Sequence, residues 1–215
     1  MHAILLNLCN ILAPSFCAHC HVFLSEQSIF CSPCKEKIKP IVPVYVALTP
    51  NKSMVVHAIG RYQEPLKTVI AGKFLGSRVA SKQLGEMIGQ LPVIREREFD
   101  LIVPIPLHWS RYAKRGFNQS VLMAQELSKQ SGKPVVELLE RVRPTAFQSQ
   151  LAIADRKKNL NEVLALTSDA THYVGARLLL IDDLMTTGAT LAAAGRVLLD
   201  LKPANVRAIV ACRVI

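Results

Sequence analysis

The segment RLLLIDDLMTTGAT, residues 177–190, contains in order a strand, two acidic residues, a turn and the start of a helix. Its apolar residues 178–181 form the continuous run that is typical of a parallel strand buried on both faces. In open α/β sheets, ligands bind where such strands end. The segment therefore predicts an α/β fold with a ligand site just after Asp182 and Asp183.

Strands and helices alternate along the rest of the chain. Strand–helix–strand order implies right-handed crossovers between parallel strands, so we expect a parallel sheet flanked by helices. Apolar runs and apolar spacing predict strands at 55–59, 99–104, 177–183 and 206–214 and helices at 78–91, 119–130 and 190–201.

The turn after the acidic pair has the composition of a phosphate site. At the positive end of a helix dipole, backbone N–H groups and hydroxyls can bind a phosphate, and Gly188 permits close backbone approach. The two carboxylates can accept hydrogen bonds from vicinal hydroxyls of a ribose, or contact a metal through water. The residues of this turn are Thr186, Thr187, Gly188, Ala189 and Thr190.

Two other interpretations of the segment stay open. Asp and Thr are ordinary helix-capping residues, so the segment also fits a capped helix without a ligand. It resembles a Walker B strand too, which requires a partner loop of the form G-x-x-x-x-G-K-[ST]. The chain's Gly72-Lys73 pair is followed by Phe74 and has Lys67 where that loop needs glycine, which disfavours an ATPase.

Two Cys-x-x-Cys pairs, Cys17 with Cys20 and Cys31 with Cys34, are separated by ten residues. Four thiolates at this spacing can form a closed tetrahedral site, which predicts a structural zinc ion. A redox-active dithiol pair or plain buried cysteines are the alternatives.

Two closely spaced prolines indicate a domain boundary. Two prolines within residues 40–43 end the cysteine-rich part, so we expect a zinc-binding module at 1–40 and a second domain at 41–215.

The chain of 215 residues carries 26 basic and 16 acidic side chains, a net charge of +10. No apolar run approaches the ~20 residues of a membrane span, and the amino terminus lacks a signal-peptide pattern. We therefore expect a cytoplasmic protein without membrane insertion.

The acidic pair and the turn that follows it resemble the phosphoribosyl pyrophosphate (PRPP) signature of type I phosphoribosyltransferases. The resemblance extends to the ComF/GntX branch of that family and spans essentially the whole chain. The segments that carry it are DLIVPIPLH at 100–108, Arg111, RGFNQ at 115–119, Gln148, Leu151, Arg156, Asn159 and the four cysteines.

This resemblance implies a type I phosphoribosyltransferase fold and a role for each motif. Asp182 and Asp183 would be the catalytic pair that holds the ribose hydroxyls, and residues 186–190 would cradle the 5′-phosphate of PRPP. Residues 141–161 would form a mobile loop over the site, and Mg²⁺ would accompany PRPP. The pyrophosphate would meet Pro106, Arg111, Arg115 and, from the loop, Arg156 beside Arg141, Arg143, Lys157 and Lys158.

The resemblance also implies a role in natural transformation, in which the protein handles imported single-stranded DNA with other competence proteins. Residues 105–160 carry a net charge of +6, from ten basic and four acidic residues, and Trp109 and Tyr112 are candidates for base stacking. The alternative is an active phosphoribosyltransferase with an unidentified small acceptor and no DNA role. Thr186 stands where purine-salvage members have an acid, which disfavours hypoxanthine and guanine as acceptors.

Overall fold

The computed structural model describes residues 15–26, 28–71, 77–96, 98–107, 112–113, 115–142 and 163–215. The strands are β1 Ser15–Phe16, β2 Phe23–Leu24, β3 Val44–Thr49, β4 Lys52–Arg61, β5 Leu101–Pro104, β6 Leu139–Val142, β7 Val163–Leu166, β8 Arg177–Met185 and β9 Asn205–Arg213. The helices are α1 Ser32–Glu36, α2 Leu66–Ala71, α3 Arg78–Gly89, α4 Pro92–Arg95, α5 Gln119–Ser131 and α6 Ala189–Leu198, with 3-10 turns at Ser168–Tyr173 and Leu199–Leu201.

A five-stranded sheet with the order β3-β4-β9-β8-β5 forms the centre of the molecule. The last four strands of this order are mutually parallel, as predicted. β3 pairs antiparallel with β4 and forms an edge that the sequence analysis did not predict. Ile181 of β8 lies opposite Ile209 of β9 on one side and Pro104 of β5 on the other. The carboxyl ends of these three parallel strands therefore lie at the same edge of the sheet.

Local capping determines where the main helices begin and end. Ser77 accepts a hydrogen bond from the N–H of Ala80, which starts α3. The Asn118 side chain accepts a hydrogen bond from the N–H of Ser120, which starts α5. Gly132, with a left-handed φ of 71°, ends this helix. The predicted helices at 78–91 and 119–130 are therefore confirmed to within two residues. The predicted helix at 190–201 instead tightens into a 3-10 turn after Leu198.

Helices cover both faces of the sheet, and the β8 side chains alternate between the two resulting cores. Leu179 and Ile181 belong to the core under α3 and α5, whereas Leu178 and Leu180 belong to the core under α6. A Cβ on Gly85 of α3 would lie 2.7 Å from the carbonyl oxygen of Met123 in α5, so these helices approach closely. The predicted parallel sheet flanked by helices is confirmed.

The cysteine-rich segment packs on the first of these cores. Cys17, Phe30 and Cys34 belong to the same buried cluster as Leu66 and Ile70 of α2. The boundary at residue 40 stays a prediction. Among the described residues, no helix has the length and apolar character required to cross a membrane.

A separate antiparallel pair, β6 with β7, lies beside the sheet. The predicted mobile loop at 141–161 begins inside β6, because Arg141 and Val142 pair with Leu164 and Val163. Residues 143–161 of that loop, Arg156 among them, lie outside the described residues.

Candidate functional site

A cleft of about 760 Å³ opens at the carboxyl ends of β5 and β8. Its walls come from α2, the turn after β5, the segment that leads into α5 with its first turn, β6, and the end of β8 with the following turn. The predicted site residues that line it are Pro106, Arg115, Arg141, Asp182, Asp183, Thr186 and Thr190.

Asp182 is held by two hydrogen bonds to one carboxylate oxygen. The Ser120 hydroxyl donates to Oδ1 over 3.2 Å, and the Asp183 N–H donates to the same atom over 2.9 Å. Although the side chain keeps partial access to the cleft, burial and then the Asp183 carboxylate raise the pKa of Asp182 to about 7. The carboxyl therefore exchanges a proton near neutral pH.

The β8–α6 turn, residues 186–190, combines exposed hydroxyls with a tight backbone. Thr186, Thr187 and Thr190 are exposed, and the Thr187 hydroxyl accepts a hydrogen bond from the Ala189 N–H over 3.4 Å. Gly188 has a left-handed φ of 79°, and a Cβ there would lie 2.9 Å from Cε of Met185. The turn thus needs glycine for both conformation and space. Thr186 borders the cleft and also a second groove, which Thr187, Gly188 and Ala189 line as well.

The opposite wall carries positive charge. Arg141 donates from Nε to the carbonyl oxygen of Pro106 over 2.8 Å, which ties β6 to the turn after β5. Asn118 donates from Nδ2 to the carbonyl oxygen of Ile105 over 2.9 Å. Arg115 is half-buried on the same wall. The candidates Arg111, Arg156 and Trp109 lie outside the described residues.

Sequence reasoning did not identify two residues that organise this site, Asn118 and Ser120. Asn118 precedes a predicted helix and is therefore a recognisable N-cap. Ser120 and Asp182 are 62 positions apart in the sequence, so a local sequence pattern cannot predict their hydrogen bond.

The four cysteines of the module converge. All four Sγ atoms lie within 4.8 Å of one another, and those of Cys20 and Cys31 are 3.5 Å apart. A tetrahedral ion with metal–sulfur distances near 2.3 Å requires sulfurs about 3.8 Å apart. The cluster can hold a metal ion.

The surroundings of the cluster favour the thiolate at Cys17, whereas burial and then the neighbouring thiols raise the pKa of Cys34 to about 12. The pKa of Cys31 is also raised. Burial opposes ionisation of Cys17, but backbone N–H groups of Cys20, Cys31 and His19 outweigh it and lower the pKa of this thiol to about 6. The Nδ1 atom of His19 lies 3.4 Å from a carboxylate oxygen of Glu64. Within the described residues, the group that can hold the metal consists of cysteines alone, and Cys212 is buried in β9.

Comparisons with known proteins agree with this architecture. The family model of the phosphoribosyl transferase domain matches residues 102–215, more than half of the chain. "Competence protein F" of Haemophilus influenzae is 29% identical over 82% of this chain and 75% of that protein. "DNA utilization protein YhgH" of Salmonella typhimurium is 30% identical over 93% and 84%, respectively. "Competence protein ComFC" of Bacillus subtilis is 38% identical over 46% of this chain and 38% of that protein.

The family model and the extent of the Salmonella match cover the sheet, the cleft and the cysteine module together. With β8, the acidic pair and the α6 turn all inside the matched residues, this chain belongs to the phosphoribosyl transferase domain family, in the group that includes competence protein F.

Proposed function

We propose that this protein binds PRPP in the cleft and acts in natural transformation, where it handles imported single-stranded DNA in the cytoplasm with other competence proteins. The observation that carries the proposal is the convergence of the acidic pair, the β8–α6 turn and Arg141 on one cleft. The names of the Haemophilus and Bacillus relatives support a role in competence, and that of the Salmonella relative supports work on DNA.

The cleft offers complementary groups to each part of PRPP. The Asp182 and Asp183 carboxylates accept hydrogen bonds from the ribose hydroxyls. The turn at 186–190 supplies N–H groups, and Thr186 and Thr190 supply hydroxyls, to the 5′-phosphate at the start of α6. Arg115 and Arg141 neutralise the diphosphate on the opposite wall. When bound, Mg²⁺ adds charge neutralisation at the diphosphate.

In the cysteine module, we propose that the bound metal is a structural zinc. Four cysteines and no other described ligand form a closed set, which leaves no coordination position for a substrate or water. The ion would stabilise the turns of the module and so maintain its packing on α2.

A second candidate is true phosphoribosyl transfer to a small acceptor. The observation that favours it is the pKa of Asp182 near 7, because a carboxyl that exchanges a proton at neutral pH suits acid–base work on an acceptor. In such a transfer, pyrophosphate leaves C1 of the ribose while an acceptor nucleophile adds. Arg115 and Arg141 would stabilise the departing negative charge.

Calorimetry with PRPP and Mg²⁺ tests the ligand. The variant Asp182→Asn with Asp183→Asn should weaken PRPP binding by at least about 100-fold, since two hydrogen bonds to charged acceptors are lost. Asp200→Asn removes an exposed carboxylate elsewhere and should bind as the parent does. Equal PRPP affinity in the double variant and the parent would place the site elsewhere.

Pyrophosphate release separates binding from turnover. The parent protein is incubated with PRPP, Mg²⁺ and each of a panel of nucleobases, and free pyrophosphate is measured over time. Release that requires one base and disappears in the double variant would establish a transferase. Binding without release would leave the protein as a PRPP-responsive competence factor.

Oligonucleotide binding at several salt concentrations tests the DNA role. Tyr112 is exposed near the cleft wall that carries Arg115, so Tyr112→Ala should weaken single-strand binding by about 1–3 kcal/mol if it stacks on a base. Arg115→Gln should instead reduce the salt dependence by about one counterion. Tyr45→Ala and Arg196→Gln, both at exposed positions on other elements, are the matched controls. No binding by the parent at physiological salt would reject direct DNA contact.

A further inference from the structure

A buried arginine, Arg213, lies at the carboxyl end of β9, outside the cleft described above. Its exposed fraction is 9%. Its register neighbours are Met185 on β8 and Arg61 on β4, so the adjacent strands supply an apolar side chain and a second cation. Neither neighbour offers a carboxylate to the guanidinium.

Within the part of the chain that the structure describes, Arg213 has no counter-ion. Its Nη1 atom is buried and has no hydrogen-bond partner. None of the ion pairs between described residues includes this side chain. A buried charge without a partner is strongly destabilising, so its presence in a packed fold points to a negatively charged ligand.

The surroundings of Arg213 are those of a binding groove. Arg213 lines a groove of about 560 Å³, which Val44 and Val46 of the edge strand β3 line as well. The same groove is lined by Thr187 and Gly188, where the ten-residue helix α6 begins. An exposed threonine side chain, Thr187, and Arg213 thus line one space from different strands and turns.

We propose that this groove is a second anion site, which binds a phosphate group through Arg213 on the side of the β8–α6 turn away from Asp182. The guanidinium fork would bind two phosphate oxygens, and the hydroxyl of Thr187, which lines this groove and not the cleft, would donate to a third. A tetrahedral oxyanion matches donors that converge from several directions, whereas the fork alone would satisfy a planar carboxylate.

This assignment does not depend on the PRPP proposal, because Arg213 lies outside the cleft that holds the acidic pair. If both sites exist, inorganic phosphate binds the parent in two classes, at Arg213 and at the cradle for the 5′-phosphate. Loss of the Arg213 class should leave PRPP affinity unchanged. The two proposals can therefore fail separately. Phosphate titration of an Arg213 variant tests the second anion site, and PRPP titration of the parent tests PRPP binding in the cleft.

The test is calorimetric titration of the full chain with inorganic phosphate at constant ionic strength in chloride. Arg213→Met should weaken the Arg213 class at least tenfold, and Arg213→Lys, which keeps the charge but not the fork, should weaken it less. Arg196→Met is the matched control at an exposed position, and it should bind phosphate as the parent does. Equal phosphate binding in Arg213→Met and the parent overturns the proposal.

Thermal unfolding gives a second readout that does not need resolved binding classes. Phosphate should raise the melting temperature of the parent more than that of Arg213→Met, because a ligand stabilises only a fold that binds it. An equal phosphate-induced rise in the two proteins would contradict the assignment. Acetate at the same concentration should stabilise the parent less than phosphate does, and an equal effect would contradict the preference for a tetrahedral ion.

Discussion

The cysteine module and the cleft assemble their functional groups in opposite ways. The module draws its four sulfurs from one short segment, residues 17–34, folded by local turns such as the one in which the His21 N–H donates to the Cys17 carbonyl oxygen. The cleft draws its groups from distant segments, such as Ser120 and Asp182, that meet only because strands end at one edge of the sheet. The fold of the module should therefore depend on the metal that its cysteines bind, whereas the geometry of the cleft should depend on the stability of the sheet.

The largest effect should follow from breaking the module. Cys20 is exposed, so Cys20→Ser removes one ligand while it disturbs little packing. Binding of a structural zinc contributes on the order of 10 kcal/mol, and its loss should unfold the module and lower the melting temperature of the whole chain. Metal analysis should find one zinc per chain in the parent and well under one in the variant.

Cys212→Ala is the control for this experiment, because Cys212 lies in β9 outside the cluster. It should keep one zinc per chain whatever it does to stability. A full equivalent of zinc in Cys20→Ser would show that the module does not depend on its ligand set as described.

A smaller effect should come from Gly188, which tests the locally encoded turn between β8 and α6. Gly188→Ala should cost about 1–2 kcal/mol of stability for the left-handed backbone, and its Cβ must also displace Met185. Gly175 has the same φ of 79° but open space at its Cβ position. Denaturant unfolding of Gly175→Ala therefore measures the backbone cost alone.

The difference between these two glycine variants isolates the packing of the turn. Gly188→Ala should also weaken PRPP binding, whereas Gly175→Ala should not. Identical losses of stability and unchanged PRPP affinity in both would show that the turn tolerates a side chain.

Ser120 tests the long-range part of the cleft. Ser120→Ala removes a hydrogen bond worth about 1 kcal/mol and so should raise the pKa of Asp182 above 7. Because the ionised carboxylate accepts the ribose hydroxyls, PRPP affinity should fall as pH drops through this pKa. The affinity profile of Ser120→Ala should be displaced to higher pH, with the parent and the variant converging at high pH.

The pKa of Asp182 also sets the sign of its contribution to stability. Because the folded value is above the unfolded one of about 3.9, the carboxyl favours folding at low pH and loses that contribution as pH rises through 7. Asp182→Asn should therefore be more stabilising at pH 8 than at pH 5. A stability difference that does not change with pH would contradict the raised pKa.

The smallest effect should come from the ion pair that joins the starts of β5 and β8. Arg177 contacts Asp100 through Nε and Nη2 at 3.2 and 2.6 Å, and its guanidinium and then its N–H lower the pKa of Asp100 to about 2. Both side chains are substantially exposed, so Asp100→Asn should cost less than about 1 kcal/mol at pH 7.

The pH dependence distinguishes this ion pair from a packing effect. A depressed pKa stabilises the fold above the unfolded value near 4, and that contribution is lost as pH falls through 2. The stability of Asp100→Asn should therefore approach that of the parent in acid. A difference that persists at pH 2 would point to packing instead.

Sequence reasoning identified the buried strands and the capped helices, because their signals lie in contiguous residues. It missed β3, Val44–Thr49, although the segment VYVAL is apolar, because the two prolines just before it indicated a break in regular structure. At the sheet edge this strand leaves Tyr45 77% exposed. β6 was missed because Glu140 and Arg141 interrupt it. The acidic pair and the four cysteines are local patterns, whereas the contacts of Ser120 and Arg141 depend on tertiary structure.

The buried cluster that Cys17, Phe30 and Cys34 share with Leu66 and Ile70 has a practical consequence for handling the protein. A truncated chain that starts after residue 40 would present the apolar side chains of α2 to water, and an exposed apolar patch of this kind promotes aggregation. Purification from zinc-depleted cells should reproduce the behaviour of the truncation. Yield and solubility would then respond to trace metal in the growth medium.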